Sequence, residues 1–178
     1  MKKIICVFAF LLLTNFSFAA GGSSSSNDSY TNLYKEAKKI IVRAKKLEKK
    51  DKVEKALKLY SKAYKKLLKA YDKDKKNPDI LNYLGFTLRK AGNFEEAEKF
   101  YLAGLEIKPN HEGINEYLGE LYIKTNRIEL AKERLEVLKG CKCEEFEELK
   151  NLLTRIKYAR HRCFRQNISF NTFLNRRN

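Results

Sequence analysis

An all-α solenoid of helical hairpins is the fold this sequence predicts, and three observations predict it. The triplet Tyr83-Leu84-Gly85 recurs 34 positions later as Tyr117-Leu118-Gly119. Apolar residues return at helical spacing along the chain, and no segment alternates with period two. The two prolines, Pro78 and Pro109, both fall at expected helix boundaries. A fixed period of this size marks a supersecondary unit that stacks on its neighbours. Such stacks usually hold a partner rather than transform a substrate.

Met1–Ala19 reads as a cleaved secretory signal. Lys2 and Lys3 are its positive start, Ile4–Leu13 its apolar run, and Ser17-Phe18-Ala19 offers small residues at a cleavage site. The run is shorter than the roughly 20 apolar residues that span a membrane. Residues 20–29 read as a flexible linker, and the helical domain is expected over residues 30–163.

A degenerate hairpin is expected over residues 30–76. Tyr30, Leu33, Tyr34, Ala37, Ile40, Ile41, Ala44 and Leu47 form its first apolar stripe. In its second helix Val53, Ala56, Leu59, Tyr60 and Ala63 match Phe94, Ala97, Phe100, Tyr101 and Gly104 at a shift of 41. Two regular hairpins follow at 78–111 and 112–145. Gly85 with Ala97, and Gly119 with Ala131, are expected to let each pair of antiparallel helices approach closely. Ala91-Gly92-Asn93 ends one helix with Gly and opens the next with Asn. Asn93 with Glu96 makes a capping-box-like start, and Asn126 with Glu129 is expected to repeat it. Phe146, Leu149, Leu152, Leu153 and Ile156 predict a cap helix over 144–163 that covers the exposed end of the stack. Residues 164–178 form a basic polar tail. The sum is about seven helices, three hairpins and a cap, in one domain.

The spacing Leu81, Leu84, Gly85, Leu88, Ala97, Tyr101, Gly104, Pro109 resembles the tetratricopeptide repeat. So does Asn115, Leu118, Gly119, Tyr122, Ala131, Leu135, Leu138, Cys143. The departures are Leu88 and Gly104 in the first copy; the second lacks the opening large residue and the closing Pro and has Leu135 in place of an aromatic. Over roughly residues 75–157, including Cys141-Lys142-Cys143-Glu144-Glu145-Phe146, the chain resembles small exported bacterial proteins of this family. The resemblance implies an interaction protein without assigned chemistry. It also implies a ligand face lined by the first helix of each hairpin. Carried onto this chain, that face holds Asp79, Asn82, Phe86, Arg89 and Lys90, then Glu116, Glu120, Ile123 and Lys124, with Phe86 as an aromatic anchor among polar groups. Chaperone-binding members grip a C-terminal carboxylate with a Lys/Asn/Arg clamp. Phe86 and Glu120 stand at matching positions here, so that mode is not expected.

The formal net charge is +16, unevenly spread. Residues 35–76 carry 18 Lys/Arg against 6 Asp/Glu, residues 77–154 carry 11 against 15, and residues 155–178 carry 7 against none. The basic ends suit an anionic envelope component, or they are the solvated faces of amphipathic helices. Nucleic acid, the usual partner of such charge, is not expected for an exported chain. The signal segment points to the periplasm or to secretion, and no later segment is apolar enough to span a membrane.

Past the signal segment three cysteines remain, Cys141, Cys143 and Cys163. A local Cys141–Cys143 disulfide, free or partner-bound thiols, and a redox or metal site with His161 and Cys163 are the open readings. Cys-x-Cys lacks zinc-ribbon spacing, and no metal or cofactor is expected. There is no Walker loop, no Gly-x-Gly-x-x-Gly, no Gly-x-Ser-x-Gly and no His-Glu-x-x-His. Glu95/Glu96 and Glu144/Glu145 open helices, their dipole-favoured place. His111 falls in the turn between repeats. An enzyme is not expected. The expected function is that of an exported adaptor for a peptide or protein segment. The alternatives are a basic envelope-associated protein and a thiol–disulfide or metal protein that uses Cys141 and Cys143.

Overall fold

The computed structural model describes the backbone of residues 25–165 and the side chains of residues 30–160. The expected signal peptide, most of the tail, and the side chains of His161 and Cys163 lie outside the described residues. Among the described residues there are seven helices and no strand: α1 (Ser25–Glu48), α2 (Val53–Tyr71), α3 (Pro78–Lys90), α4 (Phe94–Ile107), α5 (Glu112–Lys124), α6 (Ile128–Leu138) and α7 (Glu144–Arg165). They form three consecutive hairpins, α1/α2, α3/α4 and α5/α6, and α7 packs on both α5 and α6 as the cap. The all-α hairpin solenoid is thus the observed architecture.

The helix starts follow from local chemistry. Asn77 caps α3, its side chain accepting from the amides of Asp79 and Ile80, with Pro78 in the first turn where its missing N–H costs nothing. Asn93 caps α4 through the amide of Glu96. His111 caps α5, its Nδ1 accepting from the amide of Ile114 at 3.2 Å. Glu144, Glu145 and Glu147 fill the first turn of α7, where carboxylates favour the positive end of the helix dipole.

Three expectations need correction. Asn126 does not cap α6. It stands at φ 61°, where Gly92 stands at φ 83° one repeat earlier, and Arg127 takes the cap position without a side-chain bond. Asn tolerates the left-handed region better than most residues, so it substitutes for the helix-ending glycine. Next, α1 begins at Ser25, inside the expected linker. Ser25, Ser26, Asn27 and Asp28 are residue types that favour a helix start. Finally, Gly119 does not serve the α5/α6 contact. A methyl group at Gly85 would come within 2.6 Å of the Tyr101 ring on α4, as the hairpin reading requires. At Gly119 it would instead meet Leu149 of α7 at 2.6 Å. The cap helix sits in the close approach that the second repeat leaves open where Leu135 replaces the aromatic.

The core has two parts. One gathers Ala37, Ile41, Ala44, Tyr60, Leu67 and Leu84 from α1 to α3. The other gathers Tyr101, Ile114, Leu118, Leu121, Leu138 and Leu149 from α4 to α7. Tyr64, Phe100 and Tyr117 pack against both. All of these are aliphatic or aromatic, and their removal from water is the main stabilising term.

Candidate functional site

The first helices α1, α3 and α5 share one face, and its two ends differ. At the end formed by the C-terminal turns, Phe86 is 1 % exposed. The Tyr60 and Tyr117 rings stand 5.6 and 4.9 Å from its ring. Lys45 of α1 lies 4.9 Å over the Phe86 ring and donates to the Tyr117 hydroxyl at 2.9 Å. Arg89 stacks near Phe86 and Tyr117 at 5.5 and 5.4 Å and pairs with Glu120 at 2.5 Å. Lys90 donates to both oxygens of Glu48, at 2.7 and 2.9 Å, and Tyr60 donates to the same carboxylate at 2.7 Å. Burial alone would raise the Glu48 carboxyl, but these two donors outweigh it and hold it below its ordinary value. The Arg89 Nε and the Tyr101 hydroxyl, both buried, face one another. The charged side chains here are paired within the chain, while Arg89 Nε and the Tyr101 hydroxyl make no hydrogen bond.

The end formed by the N-terminal turns holds a cavity of about 260 Å³. Asn82 and Glu116, 5 % and 3 % exposed, form its inner wall. Each keeps a buried oxygen, Asn82 Oδ1 and Glu116 Oε1, with no hydrogen-bond partner. Tyr34, Tyr83 and Tyr117 line the sides, and Gly113 packs closely on Asn82, whose Nδ2 would stand 2.9 Å from a methyl group added there. Asp79, Glu112 and Glu145 stand around the mouth with Lys38 and Lys108. His111 Nε2 and Asp79 Oδ1 are 3.2 Å apart. The capping bond occupies Nδ1 as acceptor, so Nε2 carries the hydrogen and donates to Asp79. That bond, outweighing burial, lowers the Asp79 carboxyl. Glu116 is pushed up to about 9, first by burial, then by its neighbour Glu148 on α7 and by Glu120.

The structure splits the nine expected face residues. Asp79, Asn82 and Glu116 meet at the cavity. Arg89, Lys90 and Glu120 belong to the self-paired end. Phe86 and Ile123 are core, and Lys124 is exposed beside neither group. Phe86 as an exposed anchor is therefore overturned: the long α1 lays Lys45 across it and Tyr117 closes on its other side. Sequence reasoning missed Tyr34, Lys38, Tyr83, Tyr117, Lys108 and Glu145 as parts of one site. The recurrence of Tyr83 at Tyr117 was the available signal, since both rings reach the same cavity.

Cys141 and Cys143 are joined by a disulfide in the turn between α6 and α7. The two sulfurs and the Glu112 carboxylate lie within 4.8 Å of one another. Bonded to each other, the sulfurs offer no thiolate to a metal. No helix among the described residues is long and apolar enough to cross a membrane.

This architecture defines a helical-repeat scaffold. Residues 78–111 match the family model of the tetratricopeptide repeat, the same bounds that the period predicts. Those residues thus form one tetratricopeptide-type repeat within the helical stack. The fold of the chain is similar to that of the type III secretion chaperone SycD of Yersinia enterocolitica in complex with a peptide of the translocator YopD. That match has 17 % identity and a TM-score of 0.51, over 72 % of this chain and 88 % of that one. A second structure of SycD, described as a translocator chaperone, matches at 18 % identity and TM-score 0.51, over 75 % and 90 %. No curated protein matches the sequence.

Proposed function

We propose that this protein is a binding adaptor that holds a peptide or protein segment on the N-terminal end of its first-helix face. The observation that carries this reading is the cavity on this face, with the buried, unpartnered Asn82 Oδ1 in its wall beside the crowded carboxyls of Glu116 and Glu148. Native interiors rarely leave such groups without a partner, and each costs about 1–3 kcal/mol when it stays so. A site that waits for a partner has a reason to keep them. The similar fold of SycD, whose structure holds a peptide, agrees with this use of the scaffold. The signal segment supports export, and so a partner outside the cytoplasm. The exposed lysines Lys62, Lys65 and Lys69 on α2 favour a second reading, adhesion to an anionic envelope surface.

Photo-crosslinking tests the first reading. A photoreactive side chain is placed at Lys108, at the cavity mouth, and separately at Leu102, exposed on α4. The Lys108 version should join one discrete protein or peptide from the native envelope, and unlabelled protein should compete it away. Equal capture at both positions, or none at Lys108, refutes the reading.

A further inference from the structure

The unanswered groups at the cavity are both oxygens. Asn82 Oδ1 can only accept, so its missing partner must bring an N–H or O–H donor. Charge narrows the choice. Four carboxyl groups, Asp79, Glu112, Glu116 and Glu145, line the cavity against two lysines and His111. Opposite Glu116 stands Glu148, and the proton that Glu116 keeps between these crowded carboxyls is one that a bound cation can replace. A cation placed there would answer the oxygens and relieve the repulsion between these carboxylates together.

The side walls point the same way. Tyr34 and Tyr83 form a ring pair 5.9 Å apart, and the ammonium of Lys38 already lies 5.4 and 5.6 Å over their two rings. Lys45 does the same over Phe86 and Tyr117, at 4.9 and 5.2 Å. The chain's own cations thus show what these aromatic faces accept. The available volume suits the end of one long side chain, not a folded element.

We propose that this cavity is a recognition pocket for a basic side chain, lysine or arginine, presented by the partner segment. Its ammonium or guanidinium group donates to Asn82 Oδ1 and Glu116 Oε1, and its methylene stem lies along Tyr83 and Tyr117. Glu145 and Glu112 attract it at the mouth. The proposal rests on the adaptor reading and names its specificity: a partner segment with a lysine or arginine at the docking position. Anionic segments are turned away by the same carboxylates.

The test is a titration of the isotope-labelled protein, followed by amide chemical shifts, with four small probes. These are N-acetyl-lysine methylamide, its arginine counterpart, the lysine probe acetylated at Nε, and N-acetyl-glutamate methylamide. The lysine and arginine probes should shift the amides of Asn82 and Gly113 saturably, with affinity of roughly millimolar order for one side chain. The Nε-acetylated and glutamate probes should not. Glu116→Gln should weaken the lysine probe by about tenfold, the loss of one charge-assisted hydrogen bond. Glu145→Gln, on the half-exposed mouth, gives an independent reading should the buried substitution disturb the fold. Equal shifts from all four probes, saturation by the glutamate probe alone, no saturable shift, or unchanged affinity in both variants each overturn the proposal. Failure here with specific crosslinking at Lys108 retained leaves the adaptor reading standing. Loss of that crosslinking removes the reading itself.

Discussion

The two ends of the first-helix face are built from similar residues to opposite effect. At the C-terminal turns Lys45, Arg89, Lys90, Glu48 and Glu120 are paired with one another and with the rings of Tyr60, Phe86 and Tyr117. About two to three turns of helix separate this region from Tyr34, Lys38, Asp79 and His111 at the other end of the same layer. There Asn82 and Glu116 are as deeply buried but keep oxygens without donors. Burial alone therefore does not distinguish structure from site. Both ends keep buried polar atoms without partners, and the distinction is that the closed end pairs its charged groups within the chain while the open end borders a cavity. The closed end holds α1 against α3 and α5, and the open end keeps a pocket between the same three helices.

The largest effect should come from breaking the closed end at its centre. Phe86→Ala removes a ring buried among three tyrosines and should cost about 3–5 kcal/mol. Thermal melts followed by circular dichroism should show a large fall in Tm. A change confined to binding would instead restore Phe86 as an exposed anchor.

Next in size are the two close approaches. Gly85→Leu and Gly119→Leu should each destabilise by about 1–3 kcal/mol through overpacking. They strike different partners, Tyr101 of α4 and Leu149 of α7. Leu149→Ala should therefore partly rescue Gly119→Leu and leave Gly85→Leu unimproved. Rescue of neither, measured in the same melts, would place α7 elsewhere.

A subtler contrast is in pH. The Glu48 carboxyl is lowered in the folded state, so the stability it contributes is present above the unfolded value and is lost as pH falls through the folded one. Glu116 has the opposite sign. Its folded value of about 9 means that the folded state keeps a proton the unfolded chain releases, so its contribution declines as pH rises from the ordinary carboxyl range toward about 9. The groups around it are Glu120 on its own helix, Glu145 and Glu148 on α7, Lys45 on α1 and Tyr83 on α3. Glu48→Gln should flatten the acid side of the stability profile and Glu116→Gln the alkaline side. Chemical denaturation across pH checks both, and identical profiles for the two variants would contradict the assignment of the two ends.

Much of this fold can be read from the chain alone. The recurrence of Tyr-Leu-Gly locates both regular hairpins, and the shift of 41 between Tyr60 and Tyr101 locates the degenerate one. These are local signals, because each helix states its buried stripe in its own spacing. What the spacing does not carry is how distant helices meet. The docking of Leu149 onto Gly119 and of Lys45 onto Phe86 depends on pairs 30 and 41 residues apart. The site suffered for the same reason. Family offsets located Asp79, Asn82 and Glu116 at the cavity, but they could not show that α1 would cover Phe86 and contribute Tyr34 and Lys38 to the open end. Asn126 shows a smaller version of the problem: a capping residue one step out of register is a helix-ending residue instead.

The central claim is that the open end binds and the basic surface of α2 at most speeds encounter. It is tested most directly by comparing two variants against the crosslinked partner at low and physiological salt. One is Glu116→Gln with Glu145→Gln, and the other replaces Lys62, Lys65 and Lys69 by Gln. The Debye length is about 8 Å at physiological ionic strength, so contributions from exposed lysines are largely screened there. The account predicts that the cavity variant loses affinity at both salt concentrations, while the lysine variant is impaired mainly at low salt. Loss of binding in the lysine variant alone would contradict it and assign recognition to the basic surface.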